Sequence, residues 1–414
     1  MKQLKTNKNY LILVMGQVIS LFGSAIQRFA LSLYLLDLTG NASIFANILA
    51  LSIVPIIVLS PFAGILSDCG DRRKIMVVLD FLSGITIMVY AVVLFAGRDN
   101  YYVVGTVMVT LSGLSTMYQP AVNASIPLIV KNDELVAANG IVQQVSSLSN
   151  FLGPILAGML YGLFGIKVII LINGISFFLS AIMELFLAIP YTKPEKMVSP
   201  WKLFVSEMRE GVTYLKQENK HVLRLVEASG LYNLFLVPVF TVCAPYMIKV
   251  MLSMSSPVYG VSEGIMAMGM IIGGIIISAR PNWLGIQQIY YVSGTMSVVM
   301  CVVAFSLLLP MDTVGNRYTV LVAITLGIML IMVALGIANV IQITFVQRAT
   351  KQNMLGKVMA FSTAIATICV PIGQILYGYL VERLTGHMGG IVFLSGVLTF
   401  GVTLFVRWNV RAIK

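Results

Sequence analysis

Long apolar runs recur along the chain, separated by short polar breaks. They fall near 10–36, 42–66, 75–97, 101–126, 140–163 and 167–189, then near 222–248, 257–278, 288–310, 318–342, 358–381 and 389–406. Crossing the hydrocarbon core of a bilayer takes about 20 residues of helix, and each run is near that length. None alternates at a period of two, so the pattern predicts helices rather than the strands of a β-barrel. The expected fold is an all-α membrane protein with twelve transmembrane helices in two six-helix bundles. The N-terminal bundle covers 1–189, a linker 190–221 and the C-terminal bundle 222–414. The first run is too long for a signal-peptide core and lacks a small-residue cleavage site, so it is expected to stay as a span.

Composition narrows the class. Of 414 residues, 58% are hydrophobic and 10% charged, whereas soluble domains carry about 25% charge. A soluble enzyme, a nucleic-acid binder and a disordered chain are therefore excluded. The formal charge of +11 has a topological meaning. With the N-terminus in the cytoplasm, 21 of the 27 Lys and Arg residues fall on the cytoplasmic side and 5 outside, with Arg28 inside the first span. That asymmetry puts both termini in the cytoplasm. Four scattered cysteines (Cys69, Cys243, Cys301, Cys369) and two histidines give neither a disulfide framework nor a metal site. No metal or organic cofactor is expected.

Within the linker, Trp201, Phe204, Val205, Met208, Val212 and Leu215 recur at helical spacing, with Ser199-Pro200 as cap and first turn. This predicts an amphipathic helix on the inner membrane surface, acting as a connector or as a regulatory element. The halves also echo one another. Pro154-Ile155-Leu156-Ala157-Gly158 in span five and Pro371-Ile372-Gly373-Gln374 in span eleven hold the same ordinal place. Such repeats suit two bundles that rock about a central site.

Between spans two and three the chain reads Gly64-Ile65-Leu66-Ser67-Asp68-Cys69-Gly70-Asp71-Arg72-Arg73-Lys74. This resembles the loop signature of the major facilitator superfamily, matching it at Gly64, Leu66, Asp68, Arg72 and Arg73. Cys69 replaces a basic residue and Asp71 a glycine, and Asp71 is familiar from the macrolide-efflux branch of the drug exporters. Gln119-Pro120-Ala121-Val122-Asn123-Ala124, Glu207-Met208-Arg209-Glu210-Gly211 and Leu355-Gly356-Lys357-Val358 resemble segments of that branch in the same order. The resemblance implies a cytoplasmic latch of Gly64, Asp68, Asp71, Arg72, Arg73 and Asp80. Gly64 would allow close packing, and Asp68 would face helix N-termini and arginines. The plain alternative is a basic loop that only sets topology. Gly153, Pro154 and Gly158 resemble the exporters' antiport motif, or are simply small residues that let helices approach. Leu111 stands where many drug exporters have an arginine linked to proton coupling.

Polar stripes indicate a pathway, because polar groups facing lipid are costly. The cavity candidates are Gln17, Ser24, Gln27 and Arg28 in span one and Gln119 and Asn123 in span four. Gln143 and Asn150 follow in span five, Asn233 in span seven, and Thr367 and Gln374 in span eleven. Arg28 needs a carboxylate, a carbonyl or an anionic ligand. Five acids lie in or beside spans: Asp37, Asp80, Glu184, Glu227 and Glu263. Asp37 and Glu227 are the proton-coupling candidates, although Glu227 could instead pair with Arg224 one turn earlier. The expected function is proton-driven export of a small amphipathic, macrolide-like compound from a bacterial plasma membrane. Lipids are the surroundings, nucleic acid is no partner, and the chain acts as a monomer. A siderophore, lipid or metabolite exporter is the alternative cargo class, and a membrane enzyme or receptor is the alternative kind of protein.

Overall fold

The computed structural model of the chain describes residues 7–131, 134–191, 200–280, 283–384 and 386–411, with the main chain alone at 68, 136 and 200–204. Ser199 lies outside the described residues, as do the side chains of Trp201 and Phe204. The helices are α1 Lys8–Thr39, α2 Ala42–Cys69, α3 Arg72–Phe95, α4 Tyr101–Ile129, α5 Leu135–Glu184, α6 Pro200–Gln217 and α7 Lys220–Phe235. They continue with α8 Ala244–Tyr246, α9 Ser256–Ala279, α10 Ile289–Ser306, α11 Val314–Ala349, α12 Leu355–Arg383 and α13 Met388–Arg411.

Among the described residues, ten helical stretches are long and apolar enough to cross a membrane. Twelve spans follow from two local facts. The stretch Ala137–Glu184 turns at Gly165, whose φ of 69° lies in the left-handed region that glycine enters without a Cβ clash. It therefore holds spans five and six. Helix α4 falls below the apolar threshold because of its own polar stripe, yet Tyr118, Ala121, Val122 and Ile126 from it lie in a buried cluster with Tyr10, Leu13, Met76 and Leu187. Short side chains start the helices by accepting from free amides. Asn100 Oδ1 takes Tyr102 N at 3.0 Å and Val103 N at 3.1 Å, and Thr313 Oγ1 takes Asn316 N at 3.2 Å.

The chain divides into two compact units, Met1–Thr39 with Leu51–Phe204, and Gly40–Ala50 with Val205–Lys414. In unit 1, α1 packs along both halves of α5. A Cβ on Gly23 would lie 2.4 Å from Asn173 Oδ1, and one on Gly153 would lie 2.7 Å from Ala25 Cβ. In unit 2, α9 meets α11 through glycines. A Cβ on Gly269 would stand 2.2 Å from Met329 O, and one on Gly273 would stand 2.2 Å from Val333 O. Small residues at such crossings permit the backbone contact that drives helix association in lipid.

Span seven is not a regular helix. After α7 come a π-helical turn at Val239–Cys243, the short α8 and a second π-helical turn at Met247–Met251. Departure from the α ladder strands the Phe235 carbonyl, which accepts Tyr377 Oη at 2.9 Å and Ser395 Oγ at 2.6 Å. The amphipathic linker helix α6 belongs to unit 2 from Val205 onward. Its Tyr214 and Leu215 are buried with Val222, Val226, Val346 and Val358.

Candidate functional site

The loop signature is mostly helix. Gly64 and Asp68 lie in the last turns of α2, and only Gly70 and Asp71 separate it from α3. Among the described residues the expected close packing at Gly64 is not present, since a Cβ there would meet nothing within 4 Å. Gly70 makes the tight approach instead, because a Cβ on it would lie 2.6 Å from Leu66 O and from Ile75 Cδ1. Asp71 caps α3 by accepting Lys74 N at 3.3 Å. Arg73 donates to the main-chain carbonyl of Leu185. The side chain of Asp68 lies outside the described residues. Asp80, in or beside a span by sequence, lies within α3. It sits in the third turn of α3, only 2% exposed, and interacts electrostatically with Glu184.

The polar stripes separate into two kinds. Gln17, Gln27 and Gln374 are buried between helices and do not open onto solvent, because each stands on the packed side of its helix. Gln17 Nε2 donates to Tyr118 Oη at 2.8 Å, and Gln374 Nε2 donates to Thr241 Oγ1 at 3.4 Å. Arg28, Asn123, Gln143 and Asn150 are exposed, while Ser24 and Gln119 are half-buried. Of these, Arg28 and Asn150 are brought together, with Arg28 Nη2 at 3.5 Å from Asn150 Oδ1. In unit 2, Asn233 Nδ2 donates to Ala366 O at 3.0 Å. Thr367 Oγ1 donates to Thr363 O at 2.8 Å, a bond within its own helix.

The two glycine-proline segments do equivalent jobs. Gly153 brings α5 against α1 at Ala25, while Gly373 brings α12 against span seven, where its Cβ would stand 2.5 Å from Leu234 O. Pro154 and Gly158 lie in the same α5 segment, and Gly158 is buried. Spans five and eleven thus pack on spans one and seven, the first of each half.

The acids are spread widely. Asp37 is exposed and accepts Tyr161 Oη at 3.0 Å. Glu227 is also exposed, and its expected partner Arg224 lies over the Trp408 ring, 4.5 Å from the centroid. The flat guanidinium stacks better on an indole than it reaches a carboxylate one turn away. Glu263 interacts with Tyr259 one turn before it.

A family profile described as Major Facilitator Superfamily matches residues 13–374. The chain belongs to the Major Facilitator Superfamily. It is 27% identical over 391 residues to Macrolide efflux protein A of Streptococcus pyogenes, covering 94% of this chain and 93% of that one. It is 21% identical to the Staphyloferrin A transporter of Staphylococcus aureus, covering 95% of this chain and 94% of that one. The crystal structure of nucleoside transporter NupG superposes with a TM-score of 0.72 over 98% of this chain and 99% of that one, at 15% identity, a likeness of fold. Membership of the Major Facilitator Superfamily makes the chain a multi-pass membrane transporter rather than an enzyme, and the relatives named are bacterial.

Two further features of this superfamily member escape sequence reading. Tyr118 sits in an apolar run with no periodicity to mark it, yet its hydroxyl joins Gln17 to Glu184. Two family-like fragments distant in sequence also meet. Lys357 of the Leu355–Val358 segment pairs with Glu210, and a Cβ on Gly211 would lie 3.1 Å from Lys357 O. Beside them Lys351 Nζ donates to Glu218 Oε2 at 2.5 Å. That hydrogen bond and the carboxylate charge hold the Lys351 ammonium above its ordinary pKa.

Proposed function

We propose that this transporter exports a small amphipathic compound of the macrolide class by proton-coupled alternating access. The observation that carries the reading is the exposed polar group formed by Arg28 and Asn150 on the polar stripes of two apolar-rich helices. A cation held by an amide oxygen, rather than by a carboxylate, keeps its charge available to a cargo. The near full-length likeness to Macrolide efflux protein A supports the cargo class. Both termini face the cytoplasm, as the placement of basic residues supports, and the membrane is the bacterial plasma membrane. The Gly70–Lys74 segment latches the cytoplasmic side, the transporter works as a monomer, and a proton gradient supplies the energy.

The test is uptake of erythromycin into inverted vesicles with an imposed pH gradient. Accumulation that collapses with the gradient is expected. Uptake indifferent to the gradient overturns the coupling, and absence of uptake overturns the cargo class. A siderophore-like metabolite is the second reading, favoured by the likeness to the Staphyloferrin A transporter and by the cationic Arg28, which suits an anionic cargo.

A further inference from the structure

A buried acidic cluster inside unit 1 has no part in the pathway just described. Asp80 of α3 is 2% exposed and Glu184, the last residue of α5, is 1% exposed. Tyr118 Oη of α4 donates to Glu184 Oε1 at 2.5 Å, and Gln17 Nε2 of α1 donates to Tyr118 Oη at 2.8 Å. The Tyr118 hydroxyl hydrogen and one of the two Gln17 amide hydrogens are thereby used. Ser180, one turn before Glu184, interacts with Asp80. Three acceptors, Asp80 Oδ2, Glu184 Oε2 and Gln17 Oε1, and one hydroxyl, Ser180 Oγ, remain buried without a partner among the described residues. Gln17 is itself 1% exposed, and its amide is turned into the cluster by the bond to Tyr118. Of the cations at this end, Arg73 donates to the Leu185 carbonyl, and Arg72 Nε is buried without a partner among the described residues. The remaining walls are apolar, among them Met76 and Leu79.

Three unpartnered acceptors against the Ser180 hydroxyl and the second Gln17 N–H leave one acceptor over, and around two interacting carboxyl groups that calls for hydrogen. Two like charges in a dry site repel strongly, and an unpaired buried charge costs several kcal/mol. A proton on either carboxyl group removes the repulsion and turns one acceptor into a donor. Both carboxyl groups lie toward the same end of unit 1, since Glu184 ends α5 and Asp80 lies about 12 Å along α3 from Arg72.

We infer that Asp80 and Glu184, bridged to Gln17 by Tyr118, form a proton-holding pair that carries the exchanged proton. This rests on the proton-coupled reading above. The proton is taken from hydronium on the more acidic side, forming one O–H bond on a carboxyl oxygen. It leaves to water on the other side as that bond breaks.

Infrared difference spectra of the full-length protein in liposomes test proton occupancy without any cargo. A titrating band of protonated carboxyl is expected in the wild type, shifted in Asp80→Asn and in Glu184→Gln and lost in the double variant. An unchanged band in the double variant overturns the proposal. Erythromycin transport then tests coupling. Variants that keep erythromycin exchange across equal pH but lose pH-driven accumulation support the pair, and a purely structural role would lose both. Variants whose accumulation still follows the gradient overturn it while proton coupling stands. If wild-type uptake ignores the gradient, the coupling reading fails, and the infrared band alone decides whether the pair holds a proton.

Discussion

At the scale of single residues, the informative positions are those where an atom has no room or no partner. Gly153 is one, because a Cβ there would sit 2.7 Å from Ala25 Cβ. Gly153→Val should destabilise by about 1–3 kcal/mol through overpacking and abolish transport, with partial recovery in the Gly153→Val, Ala25→Gly double variant. Thermal unfolding in detergent and an uptake assay read both effects. Arg28 is another. Its bond to Asn150 is long and the side chain is exposed, so it bears little of the packing. Arg28→Ala and Arg28→Glu should keep the melting temperature and lose erythromycin transport, and undiminished transport in both would remove Arg28 from the pathway. The sequence marked Arg28 clearly, as a lone cation in an apolar run. It could not mark Tyr118, whose role exists only because α1 and α5 stand on either side of it.

At the scale of elements, the linker helix changed most between pattern and structure. Its amphipathic periodicity predicts a surface helix, and its buried face is now seen to be Tyr214 and Leu215 against unit 2. Glu210 and Lys357 orient it. Because the carboxylate is 58% exposed, the pair contributes only about 0.2–1 kcal/mol. Glu210→Lys should lower thermal stability slightly, and combining it with Lys357→Glu should restore it. Recovery absent from the double variant would show that the charges do not face each other in solution. Span seven makes a second case. Tyr377→Phe with Ser395→Ala leaves the Phe235 carbonyl without side-chain donors, at a cost of about 1–3 kcal/mol. The melting temperature should fall more for the pair than for Thr367→Val, whose hydroxyl bonds only within its own helix.

At the scale of the whole molecule, the uneven distribution of basic residues makes a topological prediction. In a background without the four native cysteines, Arg317→Cys should react with a membrane-impermeant maleimide on intact cells. Lys131→Cys should react only after the cells are opened. The reverse pattern would invert the orientation and with it the direction of export. The likeness to known transporters covers nearly the full chain, and transport by the whole chain in vesicles tests the proposed orientation, cargo and coupling together.

The sequence by itself determined the membrane class, the twelve spans and the family. These depend on apolar length, charge placement and short motifs, all of which are local along the chain. It also pointed to the glycine-proline segments, since small residues and prolines are visible at their own positions. Only the tertiary structure decided which polar residues are buried and which stay open. Gln17 and Arg28 look alike in the stripe of α1, but one faces Tyr118 and the other does not, and that difference is set by neighbouring helices. The same holds for Asp80, read from its place near the loop as part of a latch. Its burial opposite Glu184 follows from the packing of α3 against α5, which no spacing within α3 encodes.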